Sequence, residues 1–412
     1  MGMFARRVQN LRPGYRFSCF CAAAGFMLLA AAVCPTRAGS LKIGEISPLS
    51  GRLAKQGLEI DRGIQVAIDM ANRRGGVSGR KIVLLSRDDQ SRPGVAISRA
   101  EELCSLKKVV ALTGGYVDAL VGPIAAVAQK YRVPYVASAS LQKELAQHRN
   151  RYFFRVSRLR GFIEPLCGSL TEQFKPRRLA VLYAATPGAT ELAQDLRSCL
   201  ATRNIRVAML EKFRPGTPDF TPLILKLAAQ KIDVVVSAGF TPDHMLMVRQ
   251  FKEHHFSPKA YIGPFGIASR RFVAAMGPNA EYLYGTCAWN PGITMPGTEA
   301  ASKTFIRQFS ERYQHAPNTT NMHGYTSAMA LIAAMRSVAA AGLPLTGNHI
   351  RDALSRLDMV LPMEHLAFDA HGNPLHYHHV VVQIQHGRLV PVFPPGRAAA
   401  AAIFPAPAWG KR

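Results

Sequence analysis

Short runs rich in β-branched residues alternate with longer segments of helical periodicity along most of this chain. The first such pair is the strand-like LKIGEIS at residues 41–47 and the amphipathic segment after it, which ends at Gly75 and Gly76. Repetition of this order is typical of parallel strands, because each parallel connection needs a crossover that is usually a helix. The predicted fold class is therefore α/β with parallel sheets covered by helices.

The alternation predicts nine strands and nine helices. The strands are predicted at 41–47, 81–87, 109–113, 133–137, 178–184, 205–212, 233–238, 259–263 and 281–287. The helices are predicted at 57–74, 93–106, 118–131, 160–174, 189–203, 218–229, 241–255, 299–313 and 320–341. A chain of this length exceeds one ordinary hydrophobic core, so two lobes are expected. Residues 394–412 are rich in Ala and Pro and are predicted to form an extended tail.

Residues 1–38 have the composition of a secretion signal. Arginines precede an apolar run that ends at Val33, and small residues follow it, so cleavage after Ala38 is predicted. The run is shorter than the about 20 apolar residues that a membrane anchor needs. Two alternatives remain open: lipidation at Cys34, which the bulky neighbouring valine disfavours, and a twin-arginine signal at Arg6–Arg7.

The charge of the chain is strongly basic. Residues 1–38 hold five of the 51 Lys and Arg and none of the 26 Asp and Glu, so 46 − 26 leaves a net charge of +20 after cleavage. The basic residues are dispersed among apolar periodic segments, and no helix-turn-helix, zinc-finger or aromatic RNA-binding motif is present. A nucleic-acid partner is therefore not predicted.

Four cysteines follow the signal segment: Cys104, Cys167, Cys199 and Cys287. None belongs to a Cys-x-x-Cys motif, so the spacing supports neither a zinc site nor a redox motif. Cys167 and Cys199 lie on predicted helices that flank the strand RLAVLYA, and they could pair in an oxidising compartment. Buried free thiols are the alternative, and the sequence does not decide between the two.

Seven segments in chain order resemble the leucine/isoleucine/valine-binding type of periplasmic solute receptor of ABC importers. They are IGEISPLSG, GIQVAIDMANRRGGVSGRKIVLLSRDDQSRPGVAISRAEEL, VPYVASAS, NRYFFRVS, LAVLYAATPGATELAQ, RPGTPDFTPLILKLAAQKIDVVVSAGF and AFDAHGNPLHYHHVVVQIQHGRLVPVFPP. The resemblance implies a type I periplasmic binding protein fold, with two Rossmann-like lobes joined by three crossovers near Ser157, Trp289 and Asp358. The expected lobes are 41–157 plus 289–357 and 158–288 plus 358–393.

Open parallel sheets bind ligands beyond the carboxyl ends of their strands. Five loops meet this condition: Ser47–Gly51, Thr113–Asp118, Ala137–Ser140, Ala184–Ala189 and Ala238–Thr241. The predicted ligand-binding residues are Ser47, Tyr116, Asp118, Ala137, Ser138, Ser140, Phe240 and Phe265. Tyr116 is expected to stack on a ligand, and Ser138 and Ser140 to bond a carboxylate or amide. The alternative is that both serines cap the next helix.

The resemblance is incomplete at the implied amino-acid site. The loop that holds the ligand's α-carboxylate corresponds to residues 117–119, a tyrosine corresponds to Gly188, and the acid of a GPEG-like turn is replaced by Phe265. A buried ammonium without a counter-charge is costly, so an amino acid is disfavoured unless Asp118 or Glu45 supplies the charge. The aromatic residues indicate an apolar or aromatic solute such as an organic acid, although core packing would equally explain them.

Catalytic and metal sites lack sequence support. No GxSxG, HExxH, P-loop or GxGxxG motif follows a predicted strand, so no enzymatic activity and no cofactor are predicted. His376 and His378 would share a strand face and could bind a transition metal. No cysteine or acid lies at a fixed spacing from them, and we therefore predict that the histidines of HYHH, His379 among them, are exposed strand residues.

The predicted function is that of a periplasmic solute-binding protein of an ABC importer. A monomer would close by a hinge around one small amino-acid-like, amide or aromatic/organic-acid solute and then dock on an inner-membrane permease. The alternative function is a periplasmic sensor that feeds a membrane signalling partner.

Overall fold

The computed structural model describes residues 39–143, 145 and 150–412. The predictions for the signal segment 1–38, including Cys34, lie outside the described residues. None of the helices in the described part of the chain is long and apolar enough to cross a membrane.

The first sheet has five parallel strands in the order β2-β1-β3-β4-β5. Its strands are β1 (Leu41–Ser47), β2 (Ile82–Asp88), β3 (Ala111–Tyr116), β4 (Tyr135–Ala139) and β5 (Phe153–Arg155). The helices connecting them include α1 (Ala54–Arg73), α2 (Pro93–Glu101), which continues as a π-helical turn (Glu102–Leu106), and α3 (Asp118–Tyr131). Apolar side chains on these helices are buried against the sheet, as expected for crossovers of a parallel sheet.

The second sheet has seven strands in the order β15-β14-β10-β9-β8-β6-β7. Its parallel strands are β6 (Leu179–Ala184), β7 (Val207–Phe213), β8 (Val234–Ala238), β9 (Ala260–Gly263) and β10 (Tyr284–Cys287). The helices between them are α4 (Arg160–Ser169), α5 (Pro187–Ala201), α6 (Thr221–Ala229), α7 (Thr241–Glu253) and α8 (Arg270–Met276). An antiparallel hairpin, β14 (Val380–Gln385) and β15 (Arg388–Phe393), completes the sheet beside β10.

The chain passes between the two sheets three times. The first passage follows β5 and contains Ser157, and the second follows β10 and contains Trp289. The second passage leads to α9 (Glu299–Tyr313), α10 (Thr319–Ala340) and α11 (Gly347–Ser355), of which α9 and α10 pack against α1. The third passage lies between β14 and a small sheet of β11 (Asp358–Val360), β12 (His365–Phe368) and β13 (Pro374–His376).

The α/β prediction is confirmed, since each predicted strand and helix overlaps an observed element. The elements absent from the predicted set are β5, α8, α11, the three strands β11 to β13 and the two hairpin strands β14 and β15. A strand of three residues shows no alternation that could be recognised, so its position depends on tertiary contacts.

Helices α1 and α10 approach each other through glycines. A Cβ atom added at Gly63 would overlap the carbonyl oxygen of Asn321, and one added at Gly324 would overlap the carbonyl oxygen of Ile60. Only a residue without a side chain allows the two backbones to come this close. The contact fixes α10 beside α1, on the first sheet.

Cys167 and Cys199 form a disulfide bond that joins α4 to α5, with 6.3 Å between their Cα atoms. Of the alternatives left open by the sequence, the pairing is therefore the one observed. Cys104 and Cys287 are buried free thiols, and burial raises the pKa of each to about 12.

The segment 394–412 packs along the second sheet. The Tyr284 hydroxyl donates a hydrogen bond to the carbonyl of Ile403 at 2.9 Å, and the Gln383 side chain bonds the same residue. Trp409 is buried, and its indole N–H donates to the carbonyl of Phe256 at 2.8 Å. This segment therefore extends the core of the second sheet.

Candidate functional site

The residues predicted from the first sheet lie at one edge of that sheet. Ser47 ends β1, Tyr116 ends β3, and Ala137 and Ser138 lie in β4, with Ser140 just beyond it. Strands β1, β3 and β4 are parallel neighbours, so their carboxyl ends meet. The topology therefore brings these residues together, as open parallel sheets do at their ligand sites.

The hydroxyl and carboxylate groups at this edge bond mainly to each other. The Ser138 hydroxyl lies 2.7 Å from that of Ser327 on α10, and the Ser140 hydroxyl donates to the Asp118 carboxylate at 2.7 Å. That carboxylate also accepts the backbone N–H groups of Leu141 and Gln142, at 3.1 and 3.2 Å. Asp118 is thus a structural anion that holds the loop after β4.

Glu45, the other acid that the sequence offered, points into the protein. Its carboxyl oxygens accept the hydroxyls of Ser47 and Ser86, at 2.9 and 2.7 Å, and the side chain is fully buried. Burial, followed by the nearby Asp61, raises the pKa of Glu45 well above its usual value. This position favours a neutral carboxylic acid, and a neutral acid cannot pair with a ligand cation.

Aromatic side chains gather at the carboxyl edge of the second sheet. Phe265 follows β9 and Phe240 follows β8, and their rings lie parallel with 6.3 Å between centroids. Phe162 on α4 meets Phe265 edge-on at 5.3 Å. Phe240 is 42% exposed, which is unusual for a phenylalanine and leaves one apolar ring open to a ligand.

A buried polar chain lies behind this aromatic cluster. His379 stacks on Phe162 at 3.6 Å between centroids, and its ring nitrogens lie 2.8 Å from the Tyr377 hydroxyl and 3.1 Å from the Thr286 hydroxyl. The Tyr377 hydroxyl also lies 3.1 Å from a ring nitrogen of His323. Burial lowers the pKa of His379 well below its usual value and that of His323 to about 4, so both are neutral at pH 7.

The prediction that the HYHH histidines are exposed strand residues is wrong for His379. The backbone leaves the sheet after His376 and crosses between the sheets, where Gly161 leaves room for Tyr377. The exposed histidine at 376 stacks on His365 instead. In the described ranges, no group of three or more His, Cys, Asp or Glu side chains is arranged to hold a metal ion.

Two cavities adjoin the loop that follows Ser140. One, of about 270 Å³, is lined by Leu141, Lys143, Arg155, Arg158, Leu159, Arg160, His371 and Asn373. The other, of about 500 Å³, is lined by Gln142, Lys143, Pro187, Thr190, Glu191, Gln194 and Asp195. The larger cavity lies between a first-sheet loop and α5, and Lys143 bridges the two by pairing with Asp195 at 2.6 Å. None of these polar residues lies at the carboxyl end of a predicted strand, so none was predicted as a site residue; Arg155 ends β5, a strand that the periodicity did not reveal.

Glu364 is a second buried acid, and it lacks the partners that Glu45 has. Its side chain is fully buried, and neither carboxyl oxygen bonds to any residue in the described part of the protein. Burial raises the pKa of Glu364 well above its usual value. A carboxyl group in this state binds a proton more tightly in the folded than in the unfolded chain.

We expect Glu364→Gln to flatten the pH dependence of stability. The pKa of Glu364 is higher in the folded chain than in the unfolded chain, where it is near 4.5. Its contribution to the free energy of unfolding is therefore fully present below pH 4.5 and is lost as the pH rises toward the folded-state pKa. One proton corresponds to a slope of at most about 1.4 kcal/mol per pH unit. Urea unfolding from pH 5 to 8 should show this loss in the wild type and less of it in the variant; equal slopes would contradict the expectation. Glu45 contributes in both proteins and cancels in the comparison.

The geometry of two sheets with facing strand ends agrees with comparisons to known proteins. A family model described as "Periplasmic binding protein" matches residues 40–388. The chain belongs to this family. Membership supports a solute-binding role and an extracytoplasmic location.

Individual relatives of this periplasmic binding protein are distant. It is 25% identical to Leu/Ile/Val-binding protein homolog 7 of Brucella abortus, over 90% of this chain and 97% of the relative. Its fold matches the branched-chain amino acid transporter substrate-binding protein LivJ of Streptococcus pneumoniae, solved with isoleucine, at 22% identity and a TM-score of 0.73, covering 85% and 97% of the two chains. It also matches an ABC transporter solute-binding protein of Rhodopseudomonas palustris, solved with 3,4-dihydroxybenzoic acid, at 19% identity and a TM-score of 0.72, covering 90% and 99%.

Proposed function

We propose that this protein is the extracytoplasmic receptor of an ABC importer and that it carries one small apolar organic acid to a membrane permease. The solute lies between the carboxyl edges of the two sheets, and closure of the sheets around it creates the surface that docks on the permease. One chain contributes both edges, so a monomer suffices. The first lobe is residues 41–157 with 289–376 and the second is residues 158–288 with 380–393, because the third passage follows β13 and does not lie near Asp358, where the resemblance places it.

The solute class follows from the charges that are missing at the two edges. Phe265 stands where the resemblance implies an acid for the ligand's ammonium, and it packs with Phe240 and Phe162. Of the two acids that could replace it, Asp118 bonds three groups of the loop after β4 and Glu45 is buried. An ammonium left without a counter-charge is costly, whereas an apolar or aromatic body gains from these rings. This pattern of aromatic rings and engaged acids is the observation that carries the proposal.

Proteins of similar fold have been solved with both kinds of solute, an amino acid and an aromatic acid. The Streptococcus pneumoniae protein was solved with isoleucine and the Rhodopseudomonas palustris protein with an aromatic acid. For this chain we assign Phe240, Phe265 and Tyr116 to the body of the solute. Ser138 and Ser140 orient its polar group, and Ser47 at the end of β1 and Ala137 within β4 complete the set of residues assigned to the solute.

We expect aromatic and branched carboxylates to stabilise the ligand-free protein more than leucine does. A solute at 100 times its Kd adds about 2.7 kcal/mol, which a thermal-shift screen detects. Phe265→Glu should weaken binding of the best carboxylate at least tenfold, because the new carboxylate repels the solute and removes apolar contact. Leu106→Glu is the matched control, since Leu106 is 75% exposed in the turn after α2. Preferential stabilisation by leucine, or an unchanged affinity in Phe265→Glu, would refute the proposal.

A further inference from the structure

The smaller cavity, beside the first passage between the sheets, has an unbalanced charge. Its lining includes four cationic side chains and no carboxylate among the described residues. Two of the cations are engaged elsewhere, because Lys143 pairs with Asp195 and Arg160 pairs with Glu164. The other two cations, the guanidinium groups of Arg155 and Arg158, form no ion pair with a carboxylate in the described ranges.

Arg155 is a fixed wall of this cavity. Its side chain is only 2% exposed and donates to the side-chain oxygen of Asn373 at 2.8 Å and to the carbonyl of Gln142 at 2.7 Å. These acceptors are neutral, and the acids nearest to the guanidinium, Asp118 and Asp369, lie behind Ser140 and Asn373. Burial lowers the pKa of Arg155 to about 10, which still leaves it charged at neutral pH.

Arg158 uses only part of its hydrogen-bonding capacity within the described ranges. One terminal nitrogen donates to the carbonyl of Leu375 at 2.8 Å, but the buried Nε–H bonds to no residue in the described ranges. Three acids lie near it, and none of them bonds it in the described ranges. Glu164 pairs with Arg160, Asp369 accepts hydrogen bonds from Asn373, and Glu364 makes no hydrogen bond there, while burial favours its protonated form. The other terminal nitrogen of Arg158, Nη1, makes no hydrogen bond in the described ranges and is not among the buried atoms, so it is the donor that an anion in the cavity would meet.

The rest of the lining is apolar. Leu141 and Leu159 face the same space, whose volume of about 270 Å³ accommodates a small organic molecule. Guanidinium groups bind carboxylates through paired hydrogen bonds, and the leucines offer contact to an apolar body. We propose that this cavity is a binding site for a small monocarboxylate, with Arg158 as its charge partner and Arg155 as a preorganised wall. This site borders the proposed solute site, since Arg155 lies 3.4 Å from the Ser140 hydroxyl, but it does not rest on the proposed function.

The test compares benzoate with benzamide, which has nearly the same shape and no charge, by titration calorimetry. The wild type should bind benzoate and not benzamide. Arg158→Gln should lower the affinity for benzoate at least tenfold while the melting temperature without ligand is maintained. Arg307→Gln, at an exposed arginine of α9, is the matched control and should bind as the wild type does. Equal binding of both probes, or unchanged affinity in Arg158→Gln, would overturn the proposal.

Benzoate could also enter the solute site, and Phe265→Glu separates the two sites. In that variant one benzoate site should remain, and adding Arg158→Gln should remove it. If Phe265→Glu alone abolishes all benzoate binding, the carboxylate belongs to the solute site and the cavity proposal is wrong. If Arg158→Gln removes benzoate binding while Phe265→Glu changes the affinity for none of the solutes screened, the cavity proposal stands and the proposed solute site fails.

Discussion

Loss of the Cys167–Cys199 disulfide is expected to lower the free energy of unfolding by about 3 to 4 kcal/mol. The bond joins residues 32 apart in sequence, and closing a loop of that length removes this much conformational freedom from the unfolded chain in the chain-entropy description. Urea unfolding of the mature protein with and without a reductant measures the difference. The double variant Cys167→Ser/Cys199→Ser should match the reduced wild type under both conditions.

A control variant tests whether the effect belongs to this bond. Cys104 is a buried free thiol, so Cys104→Ala should leave the response to reductant unchanged. Coincident unfolding curves of the oxidised and reduced wild type would contradict the prediction. They would mean that the packing between α4 and α5 alone fixes these two helices.

Gly324→Ala is expected to cost about 3 kcal/mol, a large effect for one methyl group. The added Cβ overlaps the backbone carbonyl of Ile60, and backbone of a packed helix cannot move aside as a flexible side chain can. Helices α1 and α10 would separate, and the apolar contacts between them would loosen. Chemical denaturation of the variant measures the loss of stability.

Gly188→Ala is the matched control for this substitution. Gly188 also lies in a helix, α5, and no heavy atom lies within 4 Å of a Cβ added there. Removing a flexible residue from the unfolded chain should stabilise the protein by about 0.4–1 kcal/mol. A similar small effect at both glycines would show that the contact between α1 and α10 tolerates a methyl group.

Most of the fold could be predicted from the sequence, because the signals of strands and helices lie in neighbouring residues. Alternation of short β-branched runs with amphipathic segments placed every parallel strand except β5, usually within two or three residues. The same reasoning placed Ser47, Tyr116 and Ser138 at one edge, since the carboxyl ends of parallel neighbours must meet. Strand β5, with three residues, carries no such local signal.

The partners of the predicted site residues could not be derived in this way. Ser138 bonds to Ser327, which is 189 residues away, and only the packing of α10 over the first sheet brings the two together. The burial of His379 depends on where the backbone crosses between the sheets. The cavity at Arg158 forms from segments that are far apart in sequence, including the turn at His371.

The chain contains only two tryptophans, Trp289 and Trp409. Trp289 lies on the second passage between the sheets, buried, with its indole N–H donated to Ser302 at 3.1 Å. Trp409 lies on the second sheet beneath the guanidinium of Arg412, far along the chain from that passage. A Trp409→Phe protein would therefore emit from one indole at the hinge. Its fluorescence could follow opening and closing in stopped-flow experiments without any attached dye.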